Sequence, residues 1–180
     1  MKPIRSFALG AALLLLPALA SAQTTVTLPD TSQTTTMTAS VSEQAQVTVP
    51  AGVTFNVTDI SGSTAASAAS VTIDNIVLET ATKQLQVSIQ ANAADFTPPV
   101  DGATTWSAGD VTWNAATWTS AAGASGTLSN AAYAEVATCT VDTASCSTTG
   151  LVFTLAANTA VQRSGNHTLV ITWKFESIDA

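Results

Sequence analysis

Apolar and polar residues alternate along much of this chain, which is the pattern of β-strands that bury one face and expose the other. The closing segment, residues 167–176, shows this most clearly, because every second residue is apolar and the residues between are mostly threonine or charged. The apolar positions are Leu169, Ile171, Trp173 and Phe175. The pattern predicts a strand here, with Trp173 in the core.

The same alternation predicts further strands, which turn-forming residues separate from one another. The stronger predicted strands are residues 44–49, 53–57, 71–78, 84–90 and 151–155. The threonine-rich residues 24–28 and 34–41 are predicted as edge strands. One short helical turn is predicted over residues 131–136, where alanines follow polar residues that can cap a helix.

Short strands without long helices between them favour an antiparallel sandwich over a sheet of alternating strands and helices. We therefore predict an all-β fold, an antiparallel β-sandwich of about seven to nine strands. Residues 92–126 break the pattern, since they contain two adjacent prolines, four glycines and three tryptophans. This stretch is predicted to be a Trp-rich loop excursion with short strands at residues 110–113 and 117–120.

The first 22 residues have the three zones of a secretory signal peptide. Lys2 and Arg5 give a positive start, an apolar run follows, and the small residues before Gln23 suit a signal peptidase. The apolar run is shorter than the roughly 20 residues of a membrane span. The predicted organisation is a signal peptide at residues 1–22 and one secreted domain at residues 23–180. Its expected location is extracellular, at the cell surface or in the periplasm.

Charged residues make up only 9% of the chain, against about a quarter in typical proteins. Loss of Lys2 and Arg5 with the signal peptide changes the formal net charge from −7 to −9. Five basic residues cannot form a nucleic-acid surface, and the acidic product has no attraction to anionic membranes. We expect no nucleic-acid partner and no membrane insertion.

The two cysteines, Cys139 and Cys146, are predicted to form a disulfide, because export places them in an oxidising compartment. Turn-forming residues between them allow a loop that brings the sulfurs together. A redox pair and a metal site are the alternatives. The usual redox spacing is Cys-x-x-Cys, and zinc needs four ligands, whereas the chain has only one histidine.

Candidate catalytic chemistry is sparse, and the sequence predicts a protein that is not an enzyme. His167 is the only histidine, and the Gly-Asn pair before it is typical of a turn that leads into the last strand. We expect His167 to face solvent there. The sequence lacks the nucleophile elbow, the zinc-protease helix motif and the phosphate-binding glycine loop.

No cofactor is expected, and calcium is the one metal worth weighing. Asp95, Asp101 and Asp110 flank the Trp-rich stretch, and Asp59, Asp74 and Asn75 could supply further oxygens. The chain has no Asp-x-Asp-x-Asp-Gly loop. Scattered surface acids are therefore the simpler interpretation.

Four aromatic residues crowd one region of the sequence: Trp106, Trp113, Trp118 and Tyr133. Exposed rings on a β-scaffold could form a platform that stacks on sugar faces. Alternatively, the rings fill the core of a chain that is otherwise rich in alanine and threonine. The shortage of other large side chains favours core packing.

The closing strand, residues 167–178, resembles the last strand of secreted bacterial surface and fibre-subunit β-sandwiches. It is similar in rhythm to the end of WxL-type cell-wall domains, with Trp173-Lys174-Phe175 where that family has Trp-x-Leu. The resemblance implies a secreted, non-enzymatic structural or adhesive protein of the bacterial cell surface or matrix, such as a fibre subunit. The alternative is a carbohydrate-binding module that uses the aromatic platform.

Flat, threonine-rich strands with few lysines expose backbone edges that can pair with another chain. The sequence therefore predicts self-association through strand edges. Residues 23–30 could act as a donor strand, inserting Val26 and Leu28 into the open sheet of a neighbouring copy. The alternative is an ordinary first strand of the chain's own sheet.

Overall fold

The computed structural model describes residues 24–180, and the predicted signal peptide lies outside them. The chain divides into two units between Ala39 and Ser40. In the described part of the first unit, residues 24–39, the backbone forms no strand. The Asp30 carboxylate there accepts hydrogen bonds from the Ser32 hydroxyl, the Gln33 amide and the Ser32 backbone N–H. These bonds hold the pKa of Asp30 below its usual value.

Residues 40–180 form eleven strands and one short 3₁₀ helix, Ala108–Asp110. The strands are β1 (Gln44–Thr48), β2 (Thr64–Ala65), β3 (Ala69–Val77), β4 (Lys83–Ala91), β5 (Val111–Trp113), β6 (Ala121–Gly123), β7 (Gly126–Thr127), β8 (Ala134–Cys139), β9 (Cys146–Leu151), β10 (Phe153–Leu155) and β11 (Ile171–Asp179).

The strands pair into three antiparallel sheets, with the orders β1-β3-β9, β2-β10-β5-β7 and β11-β4-β8-β6. The chain changes sheet at every connection between consecutive strands. The shortest change is at Val152, the one residue between β9 and β10. Buried side chains from all three sheets share one hydrophobic core.

Strand β4 has the most complete strand pairing. It pairs with β11 along nine positions, from Lys83↔Asp179 to Ala91↔Ile171, and with β8 on its other edge. Every second residue, Leu85, Val87 and Ile89, is buried, as the alternation predicted. Ser88 on the opposite face is also buried, so β4 is covered more fully than a strand that exposes one face to solvent.

Tryptophans supply much of the bulk between the strands. Trp113 lies against the backbone of Gly126, its partner across β5 and β7, and a Cβ at Gly126 would overlap the indole ring. The Trp113 indole N–H donates to the Ala124 carbonyl at 3.0 Å, and Trp106 donates likewise to Ala156. These bonds let two large polar-tipped rings be buried without an unpaired N–H.

The predicted disulfide is confirmed. Cys139 ends β8 and Cys146 begins β9, so the bond joins two different sheets across a sequence separation of 7. Both cysteines are buried. The disulfide therefore fixes the crossing between the sheets at the edge of the core.

The predicted all-β antiparallel fold is confirmed, but the predicted strand number is too low, because residues 40–180 contain eleven strands. The helical turn predicted at residues 131–136 is wrong, since β8 begins at Ala134 and pairs with β4 and β6. In the Trp-rich stretch, β5 matches the strand predicted at residues 110–113, whereas the next strand lies at Ala121–Gly123. Residues 24–28, 34–41 and 53–57 form no strands.

Candidate functional site

A groove of about 1020 Å³ opens within the unit of residues 40–180. Residues 49–57 line one part of it, and residues 161–173 line another. The exposed Ile60 and core side chains form the remaining surface: Phe96, Trp106, Val111, Leu128, Phe153 and Leu155. The groove therefore leads directly onto the hydrophobic core.

The wall formed by residues 49–57 is strand-like in its side chains but not in its hydrogen bonds. Val53, Phe55 and Val57 are half-buried and pack against the core, whereas the residues between them are exposed. Within the described chain, residues 50–58 make no backbone hydrogen bond to any other segment. The alternation predicted correctly which side chains face the core. It did not predict that the segment would fail to form a strand, because a strand also needs a hydrogen-bonded neighbour.

The wall formed by β11 and the residues before it also combines half-buried apolar side chains with backbone groups that lack a strand partner on one edge. Leu169, Ile171 and Trp173 line the groove and are half-buried. Trp173, predicted to be a core residue, packs against the core from this partly exposed position. Strand β11 ends its sheet, and among the described strands it pairs only with β4. Its other edge presents backbone N–H and C=O groups without a strand partner.

His167 and Arg163 are the ionisable residues that line the groove. The Nε2 atom of His167 lies 3.1 Å from the Arg163 carbonyl oxygen, and Nδ1 lies 2.7 Å from the Thr105 hydroxyl. Because a carbonyl only accepts, Nε2 donates, and Nδ1 of the neutral ring accepts from Thr105. The ring also meets Trp106 edge-on, with centroids 5.3 Å apart.

These contacts correct the expectation that His167 faces solvent. The side chain is half-buried and ties residues 163–167 to the stretch around Thr105 and Trp106. Both ring nitrogens are engaged in these hydrogen bonds. The visible role of His167 is to fix one end of the groove wall.

The aromatic residues do not form the exposed platform considered from the sequence. Trp106, Trp113 and Trp118 are buried, and only Tyr133 is exposed. Trp118 packs beside Gly123, and its indole N–H is buried without a hydrogen-bond partner among the described residues. The Lys174 ammonium lies 5.6 Å from the centroid of the Tyr133 ring. The three tryptophans are core residues, as expected from the shortage of other large side chains in the chain.

Two of the acidic residues considered as calcium ligands, Asp110 and Asp59, instead accept hydrogen bonds from residues close to them in sequence. The Asp110 carboxylate accepts from the Ser107 backbone N–H at 2.7 Å and from its hydroxyl, which caps the 3₁₀ helix. Asp59 accepts from the backbone N–H and hydroxyl of Ser61, and these bonds lower its pKa. Asp95 belongs to an isolated bridge with Ser107, and Asn75 donates to Gln46. Among residues 24–180, no three potential metal-binding side chains gather at one place.

The residues predicted as a donor strand lie in the first unit and are exposed. Leu28 is 82% exposed and Val26 is 37% exposed. Neither belongs to a strand of this chain. The alternative interpretation, an ordinary first strand of the chain's own sheet, is therefore not what the structure has.

Comparison of the chain with protein-family models, with curated proteins and with solved structures gave no match. In the described part of the chain, no helix has the length and apolar character needed to cross a membrane. The functional conclusion therefore depends on the groove and its chemistry.

Reasoning from the sequence did not find the groove, although it identified the two alternating segments that line it, residues 53–57 and the closing strand. The alternation at residues 53–57 and 167–176 indicated two apolar faces. Nothing local indicated that residues 53–57 would have no strand neighbour and β11 only one. A useful signal was present in Pro50, which cannot donate to a ladder and is typical of strand edges.

Proposed function

We propose that this chain is a secreted, non-enzymatic structural subunit of a bacterial surface or extracellular fibre, built as a β-sandwich that associates with further copies of itself. The observation that carries the proposal is the groove between residues 49–57 and β11. Most of its lining is apolar and its floor is the core. Beside it, residues 50–58 have no backbone partner and β11 has a strand on one edge only. An added β-strand would supply what both segments lack.

The chemistry of the groove also favours binding of a polypeptide over catalysis. Its ionisable residues are His167 and Arg163, and both nitrogens of His167 are hydrogen-bonded within the protein. An extended backbone can pair with the free edge of β11, while alternate side chains enter the apolar space. Such recognition needs no reactive group.

The buried disulfide and the predicted signal peptide support an extracellular destination, since disulfides persist in oxidising compartments. A low charge content suits a component that packs against copies of itself, because few charges must lose water at the interface. The resemblance of the closing strand to bacterial fibre subunits agrees with this assignment.

Self-association is tested on the chain after export and removal of the signal peptide. Light scattering over a wide range of protein concentration and electron microscopy should show oligomers or filaments. A monomer at every concentration would contradict the proposed function.

A pair of valine variants separates the groove from the rest of the surface. Val170 lines the groove and Val100 lies outside it, and both side chains are more than half exposed. Val170→Asp should reduce assembly, because it places a charge beside the apolar groove, whereas Val100→Asp should leave it unchanged. Equal effects of the two substitutions would mean that the groove is not the site of association.

A further inference from the structure

We propose that the groove binds residues 24–28 of a second copy as an added β-strand, with Val26 and Leu28 directed onto the groove floor. This inference rests on the proposed function, because it names the partner of the same groove. It identifies an acceptor site, formed by residues 49–57 and 161–173, and a donor segment in the first unit of another molecule.

The acceptor site has the properties of a sheet that lacks one strand. Val53, Phe55 and Val57 on one wall and Ile171 and Trp173 on the other are only half-buried, although each alternates as a core-facing strand residue does. Residues 50–58 have no backbone partner in the described chain, and β11 has a strand on one edge only. An inserted strand would complete the burial of both walls and pair with the edge of β11.

The donor segment is suited to this place by its pattern. Val26 and Leu28 are two residues apart, so they point to the same side of an extended chain. Threonines occupy the neighbouring positions, and threonine favours strands. Residues 23–28 carry no charged side chain, and Pro29 ends the segment because it cannot donate to a ladder.

The length of chain after the donor segment favours this segment over residues 35–41, where Met37 and Val41 are also exposed. The Glu43 carboxylate is held by the Glu79 backbone N–H and the Ser177 hydroxyl, so the chain is anchored to its own body there. Val41 is two residues from that anchor and reaches only about 7 Å from it. Leu28 is fifteen residues away and reaches up to about 50 Å, which allows it to enter a separate molecule.

Charge complementarity points to the same pairing. Arg163 lines the groove, and neither of the two ion pairs in the described chain, Lys83–Asp179 and Lys174–Glu176, involves it. Asp30 follows Leu28 by two residues, so its carboxylate would arrive near the wall as the donor segment enters. Arg163→Ala should therefore weaken binding of the donor segment by about 2-fold to 5-fold, as expected for one exposed ion pair.

Cross-linking tests the placement directly, because both native cysteines are held in the disulfide. A chain carrying Leu28→Cys is mixed with a differently tagged chain carrying Val53→Cys or Val57→Cys. A disulfide between the two chains is expected with one of the two positions, and that position reports the direction of the inserted strand. Met37→Cys is the matched control and should form no such disulfide.

A peptide assay tests the same contact without requiring assembly. The chain carrying Val26→Asp and Leu28→Asp serves as acceptor, and a peptide of residues 23–33 is titrated into it. Binding should be at least about 100-fold weaker for a peptide with aspartate at the same two positions, since both lost contacts are apolar. A variant acceptor with Val170→Asp should bind the unaltered peptide more weakly.

The outcomes separate this inference from the proposed function. A cross-link from Met37→Cys, a link formed only within one chain, or equal binding of the two peptides would overturn the assignment of residues 24–28. If the unaltered chain assembles and none of these contacts forms, the donor assignment fails and the proposed function stands. If the peptide binds but the chain never assembles, the groove assignment stands and the proposed function fails.

Discussion

Strands β4 and β11 pair with each other along nine positions and carry the same alternation of apolar and polar residues, yet they differ in burial. In β4, Leu85, Val87 and Ile89 are buried, whereas the apolar residues of β11 are only half-buried. Strand β4 has a neighbour on each edge, and β11 has a neighbour on one edge and the groove beside it. A shared pattern therefore gives different environments, according to what lies next to each strand.

Residues 53–57 extend this comparison to a third case. Their side chains alternate between half-buried and exposed, but the backbone has no partner and forms no strand. Burial thus decreases from β4 to β11 and secondary structure is lost altogether at residues 53–57. The unit of residues 40–180 therefore has a closed side, around β4, and an open side, around β11 and residues 53–57, where we propose that an additional strand is added.

The largest expected difference is between two tryptophans, one on each side. Trp113→Ala should lower the free energy of unfolding by about 3–5 kcal/mol, because it removes a buried ring from a packed core. Trp173→Ala should cost about 1–2 kcal/mol, since that ring is half-buried beside the groove. Urea unfolding of the two variants measures both. Equal losses would mean that the two sides do not differ in packing.

The disulfide tests how far the closed side depends on a covalent link. Replacing Cys139 and Cys146 together by alanine should lower the free energy of unfolding by about 2–3 kcal/mol, because the bond closes a short loop. Neither cysteine lines the groove, so binding of the peptide of residues 23–33 should not change. Weaker peptide binding in this variant would show that the groove depends on the sheet crossing at β8 and β9.

Two glycines give a smaller contrast. Gly126→Ala should cost about 1–3 kcal/mol, because its Cβ overlaps the Trp113 ring and the core must shift to admit it. Gly52→Ala, at the rim of the groove, should change stability by less than about 0.5 kcal/mol, since nothing lies within 4 Å of the added atom. Thermal unfolding compares the two. A costly Gly52→Ala would show that the open rim is more tightly packed than described.

The smallest expected effect concerns pH. Hydrogen bonds from the Glu79 backbone N–H and then the Ser177 hydroxyl lower the pKa of Glu43 from its ordinary value of 4.5. The ionised form is thus favoured by folding, so this stabilisation is complete above pH 4.5 and is lost as the pH falls through the lower folded value. Glu43→Gln should lower the melting temperature at pH 7 but not at pH 2.

The pH effect is measured as the difference between the unaltered chain and Glu43→Gln at each pH, because Asp30 and Asp59 also have lowered pKa values. Subtracting the two curves removes their shared contribution. A difference that stays constant between pH 7 and pH 2 would contradict the role of the Glu43 carboxylate.

Much of the strand content could be predicted from the sequence. The predicted strands at residues 44–49 and 84–90 lie within one residue of β1 and β4 at each end, because alternation is a local property of consecutive residues. The helical turn predicted at residues 131–136 was wrong because that prediction also used only local residues. Alanine favours helices in isolation, but β4 and β6 on either side of Ala134–Cys139 impose a strand.

The candidate site was predictable only in part. Val26 and Leu28 were identified as a donor pair from their spacing and their position just after the predicted signal peptide, and that role is still a proposal. The groove was not predicted, because it exists where residues 53–57 have no strand neighbour and β11 has one on a single edge. Likewise, His167 could not be placed, since its partners Thr105 and Arg163 come together only in the fold.

By itself, the amino-acid sequence determined which faces of the chain are apolar, that the chain is rich in short strands, and that its two cysteines pair. These properties depend on residues that are near each other in the chain. Only the tertiary structure decided which strands have two neighbours, where the tryptophans lie and where the core remains open. Backbone pairing and burial depend on residues far apart in sequence. A local pattern therefore does not indicate whether a strand is paired on both edges.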